Sequence, residues 1–302
     1  MTKDEFAVPG RPSWRDAVAP AGLRRYLPGM SIAASTGQGH TDEELLELAA
    51  RLAGLASAAI LAVRDAGFLV ERKSDRSPVT EADRVAEAII LEGLRAATPD
   101  VPVVAEEEVC GGHVPTLADR YWLVDPLDGT REFAAGTDSF AVCIGLVEGD
   151  RPRLGVVAIP ATGEVFGGIV GPDCGPGVAW KQDEAGRRAI AARTPPAQGI
   201  TVMFSQHYRG DPRLDAFLEG WRVAGVVNCG SAVKFCRLAE GVADLYPRFG
   251  RTMEWDTAAA QALLEAAGGR VLDERTGAPL RYGKPGFENG GFAAWGRRGD
   301  AT

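Results

Sequence analysis

The segment Trp122-Leu123-Val124-Asp125-Pro126-Leu127-Asp128-Gly129-Thr130 starts as an apolar run and ends as a turn loaded with carboxylates. The run at 121–124 is short and bounded by polar residues, which reads as a buried strand. Asp125 and Asp128 flank Pro126 and Leu127. Proline fixes φ and starts a turn, so both carboxylates can face one point with the Leu127 carbonyl between them. Gly129 lets the backbone approach a ligand closely, and adjacent N–H groups can cradle a phosphate. Carboxylates plus a carbonyl are hard oxygen donors, which select Mg2+, Mn2+ or Ca2+. An isolated Asp-x-x-Asp is more often an acidic turn capped by a residue such as Thr130; agreement with the neighbouring motifs decides the matter here.

The neighbouring acidic residues also sit at the ends of apolar runs. Glu106-Glu107-Glu108 follows the run at 101–105, and Asp256 opens a helical stretch at 256–267, where the N-terminal dipole favours its ionised form. Strand ends and helix starts hold a site rigidly yet leave it open.

Outward from this centre the chain is orderly. Residues 1–40 have no sustained periodicity and carry Pro9, Pro12, Pro20 and Pro28, as a tail would. Thr41-Asp42-Glu43-Glu44 is a capping box. Behind it Leu45, Leu48, Leu52, Leu55, Ala59 and Val63 recur at helical spacing up to Gly67. A second helix opens near Thr80, with Val85, Ile89 and Leu94 on one face, and closes before Pro99. Apolar runs at 140–147, 153–159 and 164–170, joined by Gly149-Asp150 and Ala161-Thr162-Gly163, predict a meander. The glycine-rich stretch 171–177 predicts a boundary between a metal-site α+β domain (41–177) and a C-terminal α/β domain (178–302). In the latter, strands at 201–204, 222–227, 243–246 and 269–272 alternate with helices from Pro212, Ser231 and Asp256.

The 302 residues are 45% hydrophobic and 25% charged, as in a soluble globular chain of about two domains. Lys plus Arg is 33 against 41 for Asp plus Glu, a net charge of −8. That removes bulk attraction to nucleic acid polymers or anionic lipid, so an anionic ligand must meet local cations or metal ions. The five cysteines, Cys110, Cys143, Cys174, Cys229 and Cys236, include no Cys-x-x-Cys pair. They argue against a disulfide framework and for a reducing cytoplasm. The N-terminal residues read as no signal peptide, and the longest apolar run, 55–63, falls short of a transmembrane span. The expected location is cytoplasmic, with a peripheral position on the inner membrane as the variant of it. P-loop and Gly-x-Ser-x-Gly patterns are absent.

The 122–130 segment resembles the first signature of the inositol monophosphatase superfamily. Glu254-Trp255-Asp256-Thr257-Ala258-Ala259-Ala260 resembles the second, and Ser77-Pro78-Val79-Thr80-Glu81-Ala82-Asp83 and Ala105-Glu106-Glu107 resemble its upstream segments. Within it, Gly129-Thr130-Arg131-Glu132-Phe133, Ser205-Gln206-His207, Gly230-Ser231-Ala232-Val233-Lys234-Phe235-Cys236 and Tyr246-Pro247-Arg248-Phe249-Gly250 are similar to the 3'(2'),5'-bisphosphate nucleotidase branch. The resemblance covers 42–294. Ala232 departs from it by losing a hydroxyl, and Ala260 by replacing a glycine.

The resemblance implies a layered α/β/α/β/α sandwich of the inositol monophosphatase and fructose-1,6-bisphosphatase type. It implies Glu106, Asp125, the Leu127 carbonyl, Asp128 and Asp256 as ligands to two or three Mg2+ ions, with Glu107 a ligand through water or a helper. Asp83 and Thr130 would orient and deprotonate the attacking water, with Asp83 as the acceptor. Substrate contacts would come from Glu106, Leu127, Asp128, Gly129, Thr130, Ser205, His207, Ser231, Lys234, Arg248 and Asp256. The implied reaction is hydrolysis of adenosine 3',5'-bisphosphate, and of related sulfate-activation nucleotides, to AMP and phosphate by a monomer or homodimer. One rival is a phosphatase for inositol or histidinol phosphates, against which Arg131-Glu132-Phe133 and 230–236 speak. The other is a catalytically silent metal- or nucleotide-binding regulator, against which the retained Asp83, Thr130 and ligand set speak. For single residues the plain alternatives are a surface loop at His207, a snorkelling Lys234 and a solvated edge at Arg248. The chemistry is consistent without the family: crowded carboxylates repel until cations relieve them, and phosphoryl transfer needs chiefly positioning and charge stabilisation.

Overall fold

The structure, a computed structural model, describes residues 39–72, 78–205 and 208–297. The expected tail lies outside them but for its last two residues, as do 73–77 and His207. In chain order the elements are α1 (Asp42–Ala66), β1 (Glu71–Arg72), β2 (Pro78–Val79), α2 (Glu81–Ala97), β3 (Val103–Ala105), α3 (Glu106–Cys110), β4 (Arg120–Asp128) and α4 (Thr130–Ala134). There follow β5 (Ala141–Glu148), β6 (Arg151–Ile159), β7 (Glu164–Ile169), β8 (Val178–Asp183), β9 (Gly186–Ala189), β10 (Ile200–Phe204), α5 (Pro212–Leu218) and β11 (Val223–Asn228). The chain ends with α6 (Val233–Ala239), β12 (Leu245–Arg248), β13 (Thr252–Met253), α7 (Glu254–Ala266), β14 (Arg270–Asp273), β15 (Glu288–Asn289) and β16 (Phe292–Trp295).

Both N-terminal helices start where their capping residues require. Thr41 Oγ1 accepts from the Glu44 N–H at 3.2 Å while the Glu44 carboxylate takes the Thr41 N–H at 2.9 Å. Thr80 and Asp83 repeat the arrangement at the head of α2. The apolar stripes of α1 and α2 close over one face of a seven-stranded sheet, β3-β4-β5-β6-β7-β8-β9. Its β3 and β4 run parallel and the rest antiparallel. β5 shows the division of labour: Val142, Ile144 and Leu146 face the α1 side, while Ala141, Cys143 and Val147 face α6 and α7. Those two helices lie between the first sheet and a five-stranded one, β11-β10-β12-β16-β14. On the outer face of the second sheet α5 packs Leu214 and Phe217 against Val202, Leu245 and Trp295. The layers are therefore α/β/α/β/α, as the resemblance implied.

One contact sets the spacing of these layers. Gly145, Gly155 and Gly168 are consecutive cross-strand partners on β5, β6 and β7. A Cβ on Gly155 would lie 2.2 Å from the Ala259 carbonyl oxygen, and one on Gly145 2.7 Å from the Ala259 nitrogen. A Cβ on Gly168 would lie 2.8 Å from the Leu263 Cα. The backbone of α7 at Ala258, Ala259, Ala262 and Leu263 rests directly on this glycine row, with the Ala266 methyl as a small contacting side chain. Ala260 is fully buried in the same layer.

Three sequence expectations need correction. The division at residue 177 cuts the first sheet, since β8 pairs with β7 and β9 with β8; by sheet membership the break falls between Ala189 and Ile200. The strands β8 and β9 escaped notice because β9 is exposed and polar, GRRA, and lacks an apolar period. β16 lies beyond the last element read and yet sits between β12 and β14. The helix α1 alone among the described residues is long and apolar enough to cross a bilayer, but its apolar side is already buried against α2 and the sheet.

Gly155→Ala should be destabilised by about 1–3 kcal/mol, the usual cost of overpacking, because the obstructing atoms are backbone. Its melting temperature should fall visibly; an unchanged value would mean that α7 does not rest on the glycine row.

Candidate active site

The turn at the end of β4 is a bulge. Asp125 faces Cys143 on β5 and Asp128 faces Ala141, so β4 carries one extra residue across this interval. Pro126, which has no N–H to give a ladder, sits inside it. The bulge brings Asp125, Leu127 and Asp128 all to the wall of one cavity. Asp125 Oδ1 accepts from the Leu127 N–H at 2.9 Å, which fixes the turn. Gly129 is required twice: its φ is 97°, and a Cβ there would lie 3.0 Å from the Ser139 carbonyl oxygen. Asp128 Oδ2 accepts from the Ala232 N–H. The position where this chain lacks a hydroxyl thus contributes a backbone donor, which alanine retains.

Two further carboxylates arrive from neighbouring elements. Ala105 on β3 is in register with Val124 on β4, so the next residues, Glu106 and Asp125, lie side by side where β3 ends. Asp256 comes from the first turn of α7, where its Oδ2 accepts from the Met253 N–H at 2.8 Å. Glu106 lines the cavity and Glu107 does not. Instead the N–H groups of Glu107 and Glu108 donate to Glu87 at 2.8 and 3.0 Å. Glu87 therefore caps α3 and fixes Glu106 at its start. The sequence reading missed it; the available signal was its place one helical turn after Asp83.

Asp83 is buried, and Thr130 Oγ1 donates to its Oδ1 at 3.0 Å. Its other oxygen takes the Thr80 N–H at 2.7 Å and the Thr80 hydroxyl at 2.8 Å. The Thr130 hydroxyl has one proton, directed to Asp83 or to the Leu127 carbonyl at 3.2 Å. Its lone pairs remain for a water in the cavity. Burial, chiefly, raises the Asp83 pKa, with Glu106 adding repulsion.

Burial dominates the electrostatics of the other carboxylates too. It raises Asp125 well above the usual range, with Glu106, Asp128 and Asp256 adding repulsion. Asp256 is raised likewise, by burial and by Asp128. Asp128 rises to about 6, held back by Lys234 and the Ala232 N–H. Like charges buried together are the donor chemistry of a divalent-cation site, and all these donors are hard oxygens. Among the described residues no three such side chains converge on a single point.

The cavity, about 620 Å³, is lined by these carboxylates together with Gly129, Thr130, Ser205, Ser231 and Lys234 and with Tyr208, Arg213, Arg248 and Arg251. Every expected substrate contact within the described residues lines it. Lys234, however, is only 1% exposed. Its ammonium donates to the carbonyls of Ser231 at 2.8 Å and Cys229 at 3.1 Å, and burial lowers its pKa to about 8. Tyr208, Arg213 and Arg251 were not anticipated. The signal was Arg248-Phe249-Gly250-Arg251, two cations three apart in an acidic chain.

A pH dependence follows. Asp83, Asp125, Asp128, Asp256 and Glu87, the last at about 8, all have folded pKa values above their unfolded ones. A group raised on folding stabilises fully below its unfolded pKa and loses that contribution as pH rises through the folded value. Metal-free protein should therefore melt at lower temperature at about pH 7.5 than at about pH 5, and Mg2+ should restore more at the higher pH. The opposite order in EDTA would contradict the assignment.

The comparisons with known proteins agree with the geometry. The model of the "Inositol monophosphatase family" matches residues 41–294. The chain is 41% identical over 251 residues to the 3'(2'),5'-bisphosphate nucleotidase CysQ of Escherichia coli K12, covering 82% of this chain and 98% of that protein. A crystal structure of CysQ from Bacteroides thetaiotaomicron superposes with a TM-score of 0.70 at 29% identity, covering 85% of this chain and 99% of that one. An inositol monophosphatase from Zymomonas mobilis gives 0.68 at 28% identity, covering 86% and 95%. With its layers, its carboxylate-lined bulge and this likeness along most of its length, the chain belongs to the inositol monophosphatase family.

Proposed function

We propose that this chain is a Mg2+-dependent 3'(2'),5'-bisphosphate nucleotidase that hydrolyses adenosine 3',5'-bisphosphate to AMP and phosphate. The observation that carries the reading is one cavity lined by two chemically different sets of residues: the carboxylates Glu106, Asp125, Asp128 and Asp256, and the arginines and ring Arg213, Arg248, Arg251 and Tyr208. A bisphosphate of a nucleoside needs both. The cleaved phosphate meets the carboxylate set, and the retained phosphate and base meet Arg248, Arg213 and Tyr208. Arg248 lines the cavity and donates to the Arg251 carbonyl at 3.3 Å, which leaves further guanidinium N–H groups for an anion. Inositol and histidinol monophosphates have no second anion for the arginines. Related sulfate-activation nucleotides that carry a 3'-phosphate are expected substrates, and the expected setting is the cytoplasm.

In this reading Glu106, Asp125, the Leu127 carbonyl, Asp128 and Asp256 hold two or three Mg2+ ions. Bound Mg2+ supplies charge neutralisation to the phosphate and the leaving oxygen and acidifies water. The chain's own residues do the rest. Thr130 accepts from the attacking water and passes the proton demand to Asp83, whose raised pKa suits a general base. The Gly129 turn offers its backbone to the phosphate. Lys234 acts indirectly: it ties the 229–231 loop and so presents the Ala232 N–H to Asp128, a different role from the phosphate contact expected from sequence.

The reading is tested by kcat/KM for adenosine 3',5'-bisphosphate and inositol 1-phosphate in Mg2+, with an EDTA control. The bisphosphate should be preferred and EDTA should abolish turnover. Arg248→Ala should lose about tenfold or more on the bisphosphate, the scale of a charge-assisted hydrogen bond, and little on the monophosphate. Lys234→Met should lose activity on both. Equal rates on both substrates for the wild type would return the assignment to a general phosphatase.

The dyad has its own test. Thr130→Ala and Asp83→Asn should each cut kcat by about 100-fold or more, and the double variant should lose little beyond either single. A double variant that shows the product of the two losses would separate the residues.

A further inference from the structure

The ammonium of Lys284 lies in a closed circuit of hydrogen bonds beneath Asp256. Its Nζ is 2.7 Å from Glu254 Oε1 and donates to Asn289 Oδ1 at 2.9 Å and to the Arg281 carbonyl. An ammonium has three N–H donors, so all of them are used. The Glu254 side chain is fully buried. Besides Lys284 Nζ it receives the N–H groups of Gly283 at 2.7 Å and Lys284 at 3.0 Å. Asn289 spends its amide on the Met253 carbonyl at 3.3 Å and on Thr257 Oγ1 at 2.9 Å. Met253 in turn gives its N–H to Asp256. The circuit thus runs from Asp256 through Met253, Asn289 and Lys284 to Glu254, which returns along the chain to Asp256.

Each link acts on the orientation of one carboxylate. The ladder between β13 and β15 pairs Met253 with Glu288 and Thr252 with Asn289, which holds the 283–289 segment against the head of α7. Gly283 and Gly286 have φ of 81° and 77°, so the segment turns tightly enough to bring Lys284 under Glu254. Ion pairing also matters for the site itself. An unpaired Glu254 would leave a buried negative charge at the head of the helix that carries Asp256; Lys284 offsets it.

We infer that Lys284 and Asn289 are positioning residues that hold Asp256 for a divalent cation. This rests on the proposal that Asp256 is a metal ligand. Second-layer partners of this type typically change metal affinity by 10–100-fold. The intact protein, without substrate, is titrated with Mn2+ and free ion is followed by electron paramagnetic resonance; kcat is then read as a function of Mg2+.

Lys284→Met should weaken Mn2+ binding by about tenfold or more. Its kcat should approach the wild-type value once Mg2+ is saturating. Lys284→Arg, which can still pair with Glu254, should recover most of the affinity. Asn289→Ala, a milder break that also serves if Lys284→Met does not fold, should weaken binding less. Asp256→Asn is the control for the underlying reading and should bind Mn2+ far more weakly. Loss in Asp256→Asn with wild-type affinity in the folded Lys284 or Asn289 variants, whatever their melting temperatures, would overturn the positioning role alone. Unchanged binding in Asp256→Asn would overturn the ligand reading and the inference together.

Discussion

The direct contact between the backbone of α7 and the glycine row of the first sheet decides where the chemistry sits. Gly145, Gly155 and Gly168 leave no side chain between the sheet and Ala259 or Leu263. Because α7 lies this close, Asp256 in its first turn reaches the cavity that Asp125 and Asp128 line from the end of β4. A side chain in that row would push the helix outward and carry one carboxylate away from the other three. The alanines at 258, 259 and 262 are the helix's half of the same arrangement.

That closeness has an electrostatic cost, and the rest of the structure distributes it. Asp125 and Asp256 lie deep enough that burial alone disfavours their charge, and each worsens the position of the others. Backbone donors take part of the load: Leu127 for Asp125, Ala232 for Asp128 and Met253 for Asp256. Glu87 and Glu254 lie behind this group and fix the helices that carry Glu106 and Asp256. The apolar layers on both faces of the first sheet supply the stability that keeps like charges together. Bound cations would relieve what remains and leave positive charge for a phosphate.

Much of this was legible in the chain. The capping residues Thr41 and Thr80, the meander and the Asp125-Pro126-Leu127-Asp128 turn are local features, and local rules found them. The layered fold and the family came from motifs with fixed chemistry. What escaped depended on distant pairing. β9 is a polar edge strand whose identity comes only from β8 beside it. Glu87 caps a helix about twenty residues away, and no spacing rule connects them. The sequence pattern points to Lys234 as a substrate contact, but its carbonyl partners at Cys229 and Ser231 form only when the loop closes on it. The circuit through Lys284 and Asn289 is equally non-local, joining the tail of the sequence to the head of α7.

The central claim, that four carboxylates from β4, α3 and α7 line one cavity and hold cations there, is tested most directly by anomalous diffraction from crystals grown with Mn2+. The account predicts anomalous peaks within coordination distance of Glu106, Asp125, Asp128 and Asp256, with the Leu127 carbonyl among the ligands. Peaks confined to other surfaces, with these four carboxylates left without an ion, would contradict it.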